Sequence, residues 1–347
     1  MNYKILIIII IISNTFAIQN TPISFSDQSK IIELINNNIN INILKEITTK
    51  LCENKSRITG TINCNYSALY IRDRLEALNV SDVYFERFCI DNKTALNIVG
   101  WLRSNSSTSK NILIMAHYDS ISVDNIAPGA NDNAASIACI LEIVRILQLL
   151  LNLNKSFTTY NLICLFTAGE EQALYGSRAW ILQNHDLLNK ICLVINFDMI
   201  GWGDHHTIIG ADSCQWVANY IIKMSGIISV KICKSHANYP STGRSDHINF
   251  MNARIPTIWI FESNKYYPYM HTAQDTIDKV NFTMVKNCAR LFSFVLYNLL
   301  IISNNDSSHG IFYLSIGLIA PICSVIFFYV FKVNRKISSK NKKEHMK

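Results

Sequence analysis

The chain has 347 residues, 49% of them hydrophobic, which is enough for one large domain with a substantial core or for two small ones. Its formal net charge of +7 is concentrated: after Phe331 seven basic residues stand against one acid, and Lys4 supplies the remainder. The body of the chain is neutral by this count, so its high pI is no evidence for nucleic-acid binding, and ten cysteines without a CxxC argue against a cysteine zinc site or redox motif.

Lys4, the uncharged run Ile5 to Ile12 and the small-residue pattern Thr15-Phe16-Ala17 predict a signal peptide over residues 1–17, cut after Ala17. Residues 18–60 read as helical, and Ser67 to Leu78 as a further helix. "VYFERFCI" (83–90) and "ALNIVGWLR" (95–103) read as strands. "NILIMAH" (111–117), "YNLICLFTA" (160–168), "ICLVINFDMI" (191–200) and "IPTIWIFE" (255–262) are continuous apolar runs, the pattern of strands buried on both faces. Between and after them, helices are predicted over Asp132–Leu151, Glu171–Leu182, Ala211–Met224 and Asn281–Ile302. Strands alternating with helices imply an α/β domain over residues 18–308, a three-layer α/β/α arrangement with a mostly parallel mixed sheet.

The last apolar run, Ile311 to Phe331, has 21 residues without a charge. About 20 such residues span a bilayer, and Pro321 within the run is tolerated there. The basic tail, 332–347, belongs on the cytoplasmic side. The reading is a single-pass type I membrane protein of the secretory pathway, its folded domain lumenal or extracellular. Eight N-x-S/T sequons, at Asn54, Asn65, Asn79, Asn92, Asn105, Asn154, Asn281 and Asn305, all lie between signal and span. In an oxidising compartment Cys52 and Cys64 are the best disulfide candidates, while Cys139, Cys164 and Cys192 sit in apolar runs as small hydrophobes.

In open α/β sheets ligands bind beyond the carboxyl ends of the strands. His117, Glu170, Glu171 and Asp198 fall at or just past three such ends, so they converge on one rim. Asp119, Asp132 at a turn-to-helix junction and His271 in the loop before the last helix join them. Imidazoles and carboxylates suit divalent zinc. Five ligands are too many for one catalytic ion with an open position; they suit two ions sharing an anionic bridge. Adjacent carboxylates such as Glu170 and Glu171 are tolerable if one is neutralised by metal and the other serves as a base.

The segments "AHYDS", "PGANDNAAS", "FTAGEEQALYGSRAW", "INFDMIGWGD", "STGRSDHINF" and "HTAQDTIDKV", in this order, resemble the M28 family of co-catalytic zinc peptidases, its aminopeptidase branch in particular. The resemblance implies the phosphorylase/hydrolase-like zinc-peptidase fold and two zinc ions per chain. It implies that His117 and Asp198 hold one ion, Glu171 and His271 the other, and that Asp132 bridges them. Glu170 would be the general base, and Asp119 would fix the tautomer of His117. The substrate would be a peptide with a free N-terminus. Asp246 and His247 match a Ser-Asp-His element read as support, whereas His205, His206, His236 and Arg244 fit no ligand motif. Asn131 stands where relatives often carry an acid, and "GRSDH" lacks a cysteine that some members have. Met199, Trp259, Phe261 and Met270 flank the ligands as candidate pocket residues. Two rival readings share the fold: a single-zinc glutaminyl cyclase, and a non-catalytic membrane-anchored receptor or subunit.

Overall fold

The computed structural model describes residues 25–53, 56–106, 110–122, 126–156, 158–210, 214–235, 245–262 and 266–301. The signal, span and tail, two of the sequons (Asn54 and Asn305), His236 and Arg244 lie outside the described residues.

Eight strands form one sheet: β1 (Ser81–Ile90), β2 (Lys93–Leu102), β3 (Asn111–His117), β4 (Asn161–Thr167), β5 (Ile191–Phe197), β6 (His206–Gly210), β7 (Ile232–Lys234) and β8 (Thr257–Glu262), in the order β1-β2-β4-β3-β5-β8-β6-β7. The four central strands β4, β3, β5 and β8 run parallel. The antiparallel pairings β1–β2, β2–β4 and β6–β8 flank them. The helices are α1 (Phe25–Asn38), α2 (Ile41–Cys52), α3 (Ile62–Ala77), α4 (Ala135–Asn154), α5 (Tyr175–Gln183), α6 (Gln215–Ile228), α7 (His247–Asn252) and α8 (Phe282–Leu300).

Alternation along the buried strands divides the core in two. Ile112, Ile114 and Ala116 of β3 face a large cluster built with α1–α4, α6 and α8. Leu113 and Met115 face a smaller one, closed by Trp180 of α5 and Phe250 of α7. Every residue of β3 and β4 is buried, as their unbroken apolar sequences require. The result is the expected three-layer α/β/α fold with unequal outer layers. α4 with the turn before it is long and apolar enough to cross a membrane, yet most of it is buried in the core.

Several boundaries differ from expectation. α5 begins at Tyr175 rather than Glu171, because Ala173 and Leu174 have φ of 69° and 62°, values a right-handed helix cannot accommodate. β6, β7 and α7 went unread: with 5, 3 and 6 residues they are too short to show a period. Cys52 and Cys64 are free thiols, which corrects the expected disulfide. Burial pushes the Cys52 thiol up to about 11, partly offset by Arg57 alongside, and that of Cys64 to about 12.

Candidate active site

The parallel register aligns the strand ends. His117 closes β3 opposite Thr167, the last residue of β4. Asp198 follows β5, its amide donating to the Ile260 carbonyl of β8 at 3.0 Å. Past β4, Gly169 has φ +70° and turns the chain so that Glu170 and Glu171 come back over the rim. Asp132 sits in the irregular turn Ala130–Ala134 before α4, with φ −113° and ψ 80°. The Asp132–Asn133 peptide is cis. His271 has φ +57° in the loop before α8.

The expected ligand residues meet in space. His117 Nε2 stands 3.2 Å from Asp132 Oδ1 and 3.3 Å from Asp198 Oδ1. His271 Nε2 stands 3.3 Å from Asp132 Oδ2 and 2.9 Å from Glu171 Oε2. The two imidazoles thus address opposite oxygens of one carboxylate, the arrangement of a bridge. Glu170 approaches from the side of His117 and Glu171, with ligand atoms within 4.8 Å of one another. All of these groups are buried or nearly so except His271, whose side chain is 44% exposed and marks the open side.

The electrostatics call for cations. Burial drives the Glu170 carboxyl well above its usual range and that of Glu171 to about 7. Hydrogen bonds with Asp132 and Glu171 raise His271 to about 10. For His117 burial opposes the charge, but Glu170 and Asp198 outweigh it and hold its pKa well up. Burial also opposes ionisation of Asp132, yet bonds from both histidines keep its carboxyl far below the usual range.

The donors fit zinc. Ligand atoms about 2.0 Å from a tetrahedral ion stand roughly 3.3 Å apart, close to three of the four separations just given. Glu171 Oε1 is buried without a hydrogen-bond partner among the described residues, the state of an oxygen awaiting a cation. Among the described residues His117, Asp132 and Asp198 form one donor group, Asp132, Glu171 and His271 another, and His117, Glu170 and Glu171 a third that overlaps both.

Asp119 faces the far ring nitrogen of His117 with both its carbonyl and its carboxylate. His117 Nδ1 donates to the carbonyl of Asp119 at 3.2 Å, while the nearer carboxylate oxygen is 3.6 Å away. This bond still fixes the tautomer and leaves Nε2 free for a metal. The carboxylate instead accepts from the amides of Glu170 and Glu171, each at 3.3 Å, and from Thr59 Oγ1 at 3.1 Å.

Sequence reasoning missed other supports. Asn133 donates to the Phe197 carbonyl at 3.0 Å and accepts from Met199 N at 3.2 Å. Asn131 accepts from Gly201 N at 2.7 Å and donates to Glu262 at 2.8 Å. Both asparagines therefore lock the turn of Asp132 to the loop of Asp198. The buried Arg57 guanidinium donates to the carbonyls of Tyr118, Leu51, Pro128 and Gly129, joining the segment after β3 to the one before Asp132. An arginine in a polar stretch carries no pattern that announces such a role. Asp246 supports as expected: it is buried and accepts from Thr167 at 2.5 Å and from Ser177. His247 stacks on Trp259 at 4.7 Å, and Trp259 on Phe261 at 4.2 Å. His206 is buried and donates to the Ile200 carbonyl at 3.0 Å, away from the ligands.

Comparison with known proteins supplies relatives. A model of peptidase family M28 matches residues 97–296. Aminopeptidase YwaD of Bacillus subtilis is 27% identical over 215 residues, covering 59% of this chain and 45% of the relative. A probable leucine aminopeptidase of Arthroderma otae is 28% identical over 198 residues, 55% of each chain. The chain spans about half the length of these curated relatives. Among solved structures, the LapA aminopeptidase of Legionella pneumophila superposes with a TM-score of 0.68 at 19% identity, covering 82% of this chain and 79% of that one.

Proposed function

The chain belongs to peptidase family M28, and from that premise we propose that it is a di-zinc aminopeptidase, removing residues one at a time from peptides with a free N-terminus. The observation that carries the reading is the placement of His117 and His271 on opposite oxygens of Asp132, at 3.2 and 3.3 Å. His117, Asp132 and Asp198 would hold one zinc, and Asp132, Glu171 and His271 the second. Bound there, zinc supplies an acidified water and a polarised carbonyl.

The chain's own residues do the rest. Glu170, buried beside His117 and grouped with it and Glu171, is assigned to neither proposed zinc and takes the proton of the attacking water. It returns that proton to the leaving nitrogen as the peptide bond breaks. Asp119 holds the backbone of Glu170 and Glu171 and, through its carbonyl, the ring of His117. Trp259 and Phe261, stacked beside the rim, suit an apolar side chain on the residue removed.

A glutaminyl cyclase reading has one point in its favour: the structure of the Fimbriiglobus ruber glutaminyl cyclase superposes with a TM-score of 0.61 at 14% identity, over 75% of this chain and 95% of that one. Zinc stoichiometry separates the two, together with release of a free amino acid from an aminoacyl reporter against cyclisation of an N-terminal glutamine. Two zincs with reporter cleavage support the proposal; one zinc with cyclisation replaces it. The topology belongs to the same proposal: a secreted domain tethered by residues 311–331, supported by the exposure of Asn65, Asn79, Asn92, Asn105, Asn154 and Asn281, all of them sequon asparagines.

A further inference from the structure

Asp275 lies four residues after His271 and is 1% exposed. Its two carboxylate oxygens accept from consecutive amides, Asn131 N at 2.8 Å and Asp132 N at 3.0 Å. Tyr267 OH donates to the same carboxylate at 2.5 Å, and the Asp275 carbonyl accepts from Ala130 N at 3.1 Å. Its own amide donates to the Thr272 carbonyl at 3.2 Å, closing the turn that directly follows His271. One side chain therefore joins the loop of His271 to the turn of Asp132, across 143 residues of sequence.

The arrangement repeats that of Asp119. Each aspartate follows a histidine by a few residues, is buried, and receives two successive amides from the segment that presents carboxylates. Neither has a ligand atom in the metal-competent groups. A carboxylate with both oxygens committed to adjacent amides fixes the intervening peptide plane, and with it the direction in which the Asp132 side chain leaves the backbone.

We propose that Asp275 is a positioning residue that sets the bridging carboxylate Asp132 and holds it in register with His271. The inference rests on the metal-site reading above. It concerns the second donor group most, because two of that group's three residues, Asp132 and His271, lie on the clasped segments, against one in the group of His117 and Asp198.

The test uses the purified full-length chain in detergent, with zinc as the probe and a competing chelator to read affinity. Asp275→Asn keeps the shape but turns an N–H group toward a backbone donor. We expect zinc affinity to fall ten- to a hundred-fold, chiefly in the more easily removed ion. Glu142→Gln serves as a control: Glu142 accepts from Asn40 N and Arg145 far from the ligands, so the variant should lose thermal stability without losing zinc affinity. If Asp275→Asn does not fold, Tyr267→Phe removes one bond to Asp275 and should weaken zinc by a smaller factor of a few. A folded Asp275→Asn, or Tyr267→Phe in its place, that binds zinc as tightly as wild type overturns the proposal. Wild-type stoichiometry below two counts against the di-zinc reading instead, since the clasp is read from the ratio of affinities and not from the number of ions.

Discussion

Glu170 and Glu171 are neighbours in sequence held by one carboxylate, and the proposed mechanism gives them different roles. Their amides donate to the two oxygens of Asp119, each at 3.3 Å, so one carboxylate presents both. Their carboxylates both come within reach of His117, but Glu171 also reaches His271, at 2.9 Å. Replacing Glu170 by Gln keeps the shape and removes the base. We expect near-full zinc content and a loss in turnover on the order of 10² to 10⁴, with substrate affinity little changed. Metal content and kinetics on the same sample check it; an emptied site would move Glu170 into the ligand set.

Asp132→Ala should behave in the opposite way. The carboxylate touches both histidines and belongs to both donor groups, so its loss leaves two dications facing each other without a bridge. At least one zinc should be absent after purification, and activity with it. Retention of two ions by this variant would show that Asp132 is not shared.

The rim was legible because strands buried on both faces carry few polar residues until they end. His117, Asp198 and the Glu170-Glu171 pair stand out for that reason. The supports were not legible, since they act across the sequence. Asp275 reaches back 143 residues to the amide of Asp132. Arg57 grips the carbonyls of residues 71 and 72 positions away. No local pattern encodes a partner at that range. The start of α5 was misread for a local reason: the left-handed φ of Ala173 and Leu174 breaks the helix there, and neither residue type announces it.

Two histidines outside the metal groups should make the fold acid-sensitive. Burial lowers His247 to about 3 and His206 to about 4. Both folded values lie below the unfolded value near 6.5, so as pH falls the unfolded chain takes up protons first. Their contribution is complete above pH 6.5 and is lost progressively toward pH 4 and 3. The paired His117 and His271 shift upward and act in the other sense, so a difference between variants is the useful readout. Both His247 ring nitrogens are buried without a partner among the described residues, and the ring stacks on Trp259. His247→Phe should retain the stack and flatten the acid limb by up to about 1.4 kcal/mol per pH unit. Urea midpoints between pH 7 and 4 test it; equal slopes would refute the assignment.

Gly129 has φ +56°, and a Cβ there would stand 2.4 Å from the Asp132 carbonyl oxygen and 2.7 Å from the Arg57 guanidinium. Gly129→Ala combines a disfavoured backbone with a backbone clash, so we expect a loss of at least about 1–3 kcal/mol. The clash lies on the segment that presents Asp132, so zinc affinity should fall as well. Gly226→Ala is the control: nothing lies within 4 Å of its Cβ position, and it sits inside α6, where alanine favours the helix. Denaturant melts of the two variants should move in opposite directions.

In the proposed topology, a tether over residues 311–331 would set where the chemistry takes place. Residues 311–331 are uncharged and are followed by a tail of net +6, which the positive-inside rule assigns to the cytoplasm. Six sequon asparagines are exposed on the folded domain, so glycosyltransferases could reach them if the domain enters the lumen. In sealed microsomes, a tag appended after Lys347 should be digested by added protease while the domain stays protected. The protected fragment should gain mobility on treatment with an N-glycosidase. Substituting Lys336 and its basic neighbours in the tail by Gln should weaken this orientation, because the charge difference across the span drives it. A domain that is digested in intact microsomes and carries no glycan would place the catalytic residues in the cytoplasm, leaving the zinc-site proposal standing but removing the secretory one.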